Sequence, residues 1–159
     1  MARPRVLFAL RRIRLAAPLH DVGKIAVPSD ILRKPGPLTP VERREVERHA
    51  EAGRRLLAGS GNELLELAAT VAWTHHENWD GSGYPRGLAE EAIPLAGRIV
   101  AVADVFDALT SIRPYRPPIS EAEAYEHLDS ESGRKFDPAA IAALDRVRAR
   151  GRHRAGVAV

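Results

Sequence analysis

An aspartate sits in the middle of the most apolar stretch of this chain. Residues 99–106 read Ile-Val-Ala-Val-Ala-Asp-Val-Phe, and Asp104 interrupts them. Pro94 stands near the start of the longer apolar run, which predicts a helix over residues 95–110 lying at the core. A carboxylate inside such a helix is expensive to bury without a metal, a cation or good donors. Whatever the chain folds into must bring one of these to Asp104. Asp107, three residues on, shares its face, and two like charges there call for a nearby positive charge. With Asp104 in place, this run does not read as membrane-spanning, and no other does.

The other signals are helical almost throughout. Val6, Leu10, Ile13 and Ala17 form one stripe of a helix, which Pro18 kinks or restarts at Leu19. Residues 27–38 hold Pro28, Pro35, Gly36 and Pro37 and read as a loop. Thr39 as N-cap, Pro40 at the first position and Glu42 predict a capping box. The helix that follows is expected to bury Val46, Ala50, Gly53, Leu56 and Leu57. After a turn at Gly59, Ser60 and Gly61, Ser60 or Asn62 caps a helix through Leu64, Leu65, Ala68, Ala69, Ala72 and His76. A glycine-rich loop covers about residues 80–87, and another loop holds Pro114, Pro117 and Pro118. Ser120 with Glu123 gives a second capping box, and Asp137-Pro138 opens a last helix that ends in a basic tail. No repeat and no convincing strand is visible, so the 159 residues read as one all-α domain.

The chain has no cysteine, so any metal site must use nitrogen and oxygen ligands. The short apolar stretch at residues 6–10 is followed by Arg11, Arg12 and Arg14, too short and too charged for a signal peptide. A cytoplasmic protein is the expectation. Net charge is +3, carried largely by arginine, since the only lysines are Lys24, Lys34 and Lys135. Codon bias explains this, and a basic excess also suits an anionic ligand. No DNA-reading motif accompanies the charge, so no DNA partner is expected.

His20-Asp21, His49, His75-His76 and Asp104 fall on or beside the apolar faces of different predicted helices. Singly, each is as well read as an ordinary core residue. Together they aim histidine and aspartate side chains at one interior region, which is how helix bundles build di-metal sites. Imidazole and carboxylate suit manganese, iron, zinc or nickel, and a carboxylate can bridge two ions. Two ions roughly 3.5–4 Å apart clamp the attacking and leaving oxygens of a phosphoryl displacement, and a bound water becomes hydroxide near neutral pH. Lys24, one turn after His20 and Asp21, reads as a phosphate contact or as a solvated lysine. The loop Glu77-Asn78-Trp79-Asp80-Gly81-Ser82-Gly83-Tyr84-Pro85 reads either as a plain turn or as a ligand loop. In the second reading glycine lets backbone approach a ligand and Tyr84 or Trp79 stacks on a base. Arg113 and Arg116 suit phosphates and guanine edges, or belong to a surface loop of an arginine-rich protein.

These motifs resemble the HD-GYP family of metal-dependent phosphodiesterases. His20-Asp21-Val22-Gly23-Lys24-Ile25 is similar to its first metal motif, followed by Ile31-Leu32-Arg33-Lys34-Pro35-Gly36-Pro37-Leu38-Thr39 and by His49 with Gly53. His75-His76-Glu77 through Gly83-Tyr84-Pro85 resembles the motif that names the family. Arg98-Ile99 with Asp104 and Asp107, then Arg113-Pro114-Tyr115-Arg116, resemble its metal-aspartate helix and basic loop, and Gly133, Phe136, Asp137 and Pro138 its closing segment. The resemblance covers residues 15–144, between a basic N-terminal segment at 1–14 and a basic C-terminal tail at 145–159.

The resemblance implies an all-α helical bundle of the HD superfamily. It implies hydrolysis of cyclic di-GMP to the linear dinucleotide, and often on to GMP, by a metal-bridged hydroxide. Two divalent transition ions are implied, iron or manganese foremost, with zinc or nickel admitted. Their ligands would be His20, Asp21, His49, His75, His76 and Asp104, with Asp21 bridging. Asp21 and Lys24 would be catalytic, Lys24 touching the scissile phosphate. Gly83, Tyr84 and Pro85, with Lys24, Arg113 and Arg116, would hold the substrate, and Asp107 would stand behind the ligands. His127 and His153 match no ligand position. The family's helices before the His-Asp motif are shortened here, and the residues before His20 include no histidine. A two-metal rather than three-metal site is therefore expected, with apolar surface left for a homodimer or a signalling-protein partner. Two alternatives stand beside the enzyme: a non-catalytic module that binds a cyclic dinucleotide or a protein, and a hydrolase of another cyclic dinucleotide or of a guanosine polyphosphate.

Overall fold

Pro18 stops the first helix, as the sequence requires. In this computed structural model, which describes residues 4–112 and 117–155, α1 (Pro4–Ala16) passes into a 3-10 turn at Ala17–Leu19. A second 3-10 turn follows at Val22–Ala26. The stretch read as a loop over residues 27–38 contains one helical turn, α2 (Ser29–Leu32), started by Pro28. Thr39 caps α3 (Pro40–Glu47) with the expected box, its hydroxyl accepting from the Glu42 amide while the Glu42 carboxylate accepts from the Thr39 amide at 2.7 Å. The single helix expected here is two. α4 (His49–Leu57) is separated from α3 at Arg48, where the His49 ring meets the Val46 carbonyl through Nδ1 at 2.7 Å and competes with the helical ladder.

Asn62 caps α5 (Glu63–Thr74), its Oδ1 accepting from the amides of Leu64 and Leu65. α5 ends at His75, so His76 lies beyond the helix and not within it. The core helix is α6 (Leu95–Thr110), with the predicted bounds. Ser120 and Glu123 form the second capping box on α7 (Glu121–Ser130), and Asp137 accepts from the Ala139 amide at the start of α8 (Pro138–Ala155). Helices α1 and α8 run unbroken across residues 14–15 and 144–145. No strand forms among the described residues, and only isolated bridges pair Asp80 with Ala89 and Ser132 with Phe136. The all-α expectation is met.

α6 joins two cores. On one side Val100 and Ala96 pack with Ala16, Ala68 and Val71. On the other Val102 packs with Leu128, Phe136 and Ile141. The α5–α6 approach is so close that a Cβ on Gly97 would lie 2.2 Å from Thr74 Oγ1. Three residues expected inside are outside: Val6 and Leu10 are each 50% exposed and Leu56 59%. α4 packs through Ala50 and Gly53 and leaves Leu56 out, while α1 reaches the core only near its end, through Ala16 with Ile13 partly buried beside it. No helix among the described residues is long and apolar enough to cross a membrane.

Candidate metal centre

Two glycines bring the His-Asp turn onto the histidine helix. A Cβ on Gly23 would lie 2.0 Å from the His49 carbonyl and 2.3 Å from the Gly53 amide. Only glycine permits that approach, and it sets Asp21 beside His49. Each ring is then oriented by backbone. His20 Nδ1 lies 2.8 Å from the Ala17 carbonyl, His49 Nδ1 2.7 Å from that of Val46, and His75 Nδ1 3.1 Å from those of Val71 and Ala72. A carbonyl can only accept, so Nδ1 carries a proton in all three; on His49 and His75 this leaves the Nε2 lone pair facing inward, whereas His20 Nε2 faces the carboxylates of Asp21 and Asp104.

The three Nε2 atoms converge on Asp21. Its Oδ1 is 3.3 Å from His49 Nε2 and 3.9 Å from His75 Nε2. Its Oδ2 is 3.3 Å from His20 Nε2 and 2.5 Å from Lys24 Nζ. His20 Nε2 is in turn 3.5 Å from Asp104 Oδ1. Asp21, His49, His75 and His76 offer ligand atoms all within 4.8 Å of one another. Asp104 thus reaches the positive partner its burial demands, and Lys24 points the way its spacing predicts.

The electrostatics fit a cation. Burial, then the neighbouring histidines, holds His75 down to about 4 and His76 to about 2, and burial lowers His49, so these rings are neutral and could serve as ligands. Hydrogen bonds to Asp104 and Asp21 push His20 up to about 10. Burial alone would raise Asp21, but the contacts with His20 and Lys24 outweigh it and hold its carboxyl well below the usual range. Two features remain uncompensated by protein alone. Asp21 Oδ1 is buried without a hydrogen-bond partner. His49 Nε2 and His75 Nε2 face each other at 3.4 Å with both protons committed to their Nδ1 atoms. A divalent ion satisfies both, and the donor set of imidazole and carboxylate suits first-row transition ions.

Beside this centre lies a polar cavity of about 420 Å³, whose lining includes His75, His76, Asp104 and the Gly83–Tyr84 corner. Tyr84 stacks on His76, with ring centroids 4.7 Å apart. Gly83 serves the fold directly: a Cβ there would lie 2.2 Å from the Asn78 amide and 2.5 Å from the His76 carbonyl. Pro85 is exposed, joined to Tyr84 by a cis peptide. Trp79 packs against Arg98 instead of lining the cavity. Asp107 is exposed and accepts from Ser111 Oγ at 3.1 Å. Together with His20 and Asp104 it borders a separate, largely apolar groove along α1. Arg113 and Arg116 lie outside the described residues.

Several further residues shape this region, and their roles were not assigned from the sequence. Glu77 is 3% exposed and accepts from the amides of Arg86 and Leu88, both at 2.9 Å, so it ties down the returning limb of the loop. Arg98 pairs with the buried Asp137 at 2.8 Å and fastens α6 to the closing segment. Arg43, Glu47, Arg134 and Lys135 line the cavity from α3 and from the turn before α8. They come from segments distant in sequence, and only their charge marked them.

The comparisons agree with this architecture. A family model described as HD domain matches residues 8–140, and the chain belongs to the HD domain family. HD domain phosphohydrolases bind divalent metals. Over 140 residues the chain is 53% identical to the cyclic di-GMP phosphodiesterase response regulator RpfG of Xanthomonas campestris pv. campestris, covering 88% of this chain and 37% of that protein. It is 52% identical to a cyclic di-GMP phosphodiesterase of Thermotoga maritima, over 83% of this chain and 36% of the relative. It is 46% identical to the 3'3'-cGAMP-specific phosphodiesterase 2 of Vibrio cholerae, over 83% of this chain and 25% of the relative. These matches bear out the HD-GYP resemblance, and the chain spans about a quarter to a third of the length of those relatives. The crystal structure of a cyclic GMP-AMP specific phosphodiesterase of V. cholerae superposes with a TM-score of 0.62 at 20% identity, over 95% of this chain and 41% of that one, and shows the same fold.

Proposed function

We propose that the chain is a metal-dependent phosphodiesterase that opens cyclic di-GMP to the linear dinucleotide and carries it on to GMP. The observation that carries the reading is the divided carboxylate of Asp21, with one oxygen facing His49 and His75 and the other facing His20. Asp21 would then be shared between two ions: His49, His75 and His76 would complete one set of donors, and His20 with Asp104 the other. Iron or manganese is the assignment we favour, with zinc or nickel compatible with the same donors. Bound there, two divalent ions supply Lewis-acid charge and lower the pKa of a water.

The chain's own residues do the rest. Backbone carbonyls of Ala17, Val46, Val71 and Ala72 keep the rings in the ligating tautomer. The Lys24 ammonium, on Asp21 Oδ2 at 2.5 Å, would offset charge on a scissile phosphate held in front of that carboxylate. Tyr84 and Gly83 form the cavity wall against which the substrate rests. Arg113 and Arg116 belong to the same proposal as phosphate and base contacts. Relatives named for cyclic di-GMP and for cGAMP support a cyclic dinucleotide over a guanosine polyphosphate.

The test is cyclic di-GMP turnover by purified protein loaded with Fe(II) or Mn(II) in the absence of oxygen, with products separated by chromatography. Linear dinucleotide or GMP is the expected product, absent with Asp21→Ala. No product from protein with both ions bound sinks the reading in favour of a binding module.

A further inference from the structure

A carboxylate in a cavity meant for a dianion needs an explanation. Glu47 is half-buried at the end of α3 and lines the cavity together with Arg43 and Tyr84. Its charge is felt at Tyr84, whose hydroxyl burial and then Glu47 push upward, with Arg43 acting the other way. Arg43 and Glu47 are one helical turn apart and share a face. Among the described residues, neither side chain makes an ion pair or a hydrogen bond, although Glu42 and Glu45 on the same helix are paired with Lys34 and Arg48. An unpaired acid here repels the phosphates of the proposed substrate unless the ligand itself brings donors to it.

A guanine brings such donors. Its N1–H and N2–H₂ groups present two parallel donors to a carboxylate, and its O6 and N7 present two acceptors to a guanidinium. Adenine presents an unprotonated N1 to the carboxylate and an N6–H₂ to the guanidinium, so both contacts turn repulsive or are lost. Building on the phosphodiesterase reading, we infer that Arg43 and Glu47 select guanine, Glu47 taking N1–H and N2–H₂ and Arg43 taking O6 and N7, beside the Tyr84 ring. They are specificity residues and touch no reacting atom.

The experiment compares kcat/KM of the metal-loaded full chain on cyclic di-GMP, 3'3'-cGAMP and cyclic di-AMP. The parent protein is expected to rank them in that order. Glu47→Gln replaces the two-acceptor group by one acceptor and one donor. It should lower the cyclic di-GMP to cyclic di-AMP ratio about tenfold or more, with bound metal per chain unchanged. Arg43→Met, at an exposed side chain on the same helix, should move the ratio the same way, and it keeps the test open if Glu47→Gln fails to fold. Parent turnover with an unchanged ratio in both variants overturns the role of the pair and leaves the phosphodiesterase standing. Loss of metal in Glu47→Gln also overturns it, because Glu47 would then belong to the metal centre. A metal-loaded parent that cleaves none of the three overturns the phosphodiesterase reading and the base selection with it.

Discussion

At the candidate metal centre three imidazoles are fixed by backbone carbonyls three or four residues before them, and the Asp21 turn is wedged against α4 by Gly23. In the adjoining cavity Arg43 and Glu47 make no side-chain hydrogen bond among the described residues, and Tyr84 is held by ring stacking on His76. The two regions share His75, His76 and Asp104, yet one is over-determined and the other is left with free polar groups. Ion coordination needs fixed donors before the ion arrives, because every degree of ring freedom lost on binding weakens it. A wall proposed to select a base needs groups whose partners arrive with the ligand. Rigidity here follows the chemistry each region performs.

The comparison breaks most sharply at Gly23. In Gly23→Ala the added methyl meets the His49 carbonyl and the Gly53 amide, so the turn must leave α4. A cost of more than about 3 kcal/mol in urea unfolding is expected, with loss of bound metal. Unchanged stability would mean that the centre is not wedged at all. Lys24→Ala acts at the border of the two regions. Turnover should fall about 100-fold while metal content stays intact, which metal analysis beside the kinetics distinguishes. Glu77→Gln loosens only the loop. One of its two buried acceptors becomes a donor facing an amide, for a cost of about 1–2 kcal/mol seen in thermal unfolding, with KM affected more than metal content.

The smallest effect is a pH slope in metal-free protein. His75 is held at about 4 when folded and titrates near 6.5 when unfolded, so the unfolded chain takes up a proton first. Its contribution to stability is complete above 6.5 and is lost as pH falls from 6.5 through 4. His20, raised to about 10, acts in the opposite sense: its contribution is complete below 6.5 and is lost as pH rises from 6.5 through 10. Apo stability followed by denaturant titration should therefore peak near pH 6.5, and its fall on the alkaline side should lessen in Asp104→Asn, which removes the largest cause of the His20 shift.

The locked region is also the one the sequence announced. Asp104 stood out because a carboxylate in an apolar run violates local patterning. His20, Asp21, His49, His75 and His76 flanked predicted helices, so local signals placed them and the fold only had to close. Capping boxes at Thr39 and Ser120 marked their helices for the same reason. The cavity wall was less visible. Arg43, Glu47 and Lys135 look like ordinary surface charges until the fold brings α3 and the turn before α8 to the same cavity as Tyr84. The break at Arg48 depends on a side chain competing for the Val46 carbonyl, which no periodicity records. Exposure of Leu56 and Leu10 likewise follows from which neighbours arrive and not from the stripe itself.

Counting metal in the parent protein and in Asp21→Ala, both reconstituted without oxygen and freed of loose ions, tests the divided carboxylate most directly. Two ions per chain in the parent and at most one in Asp21→Ala are expected, since the carboxylate is shared by both sets of ligands. Two ions retained in Asp21→Ala would contradict it and leave His20, His49, His75, His76 and Asp104 holding the metals without a bridge.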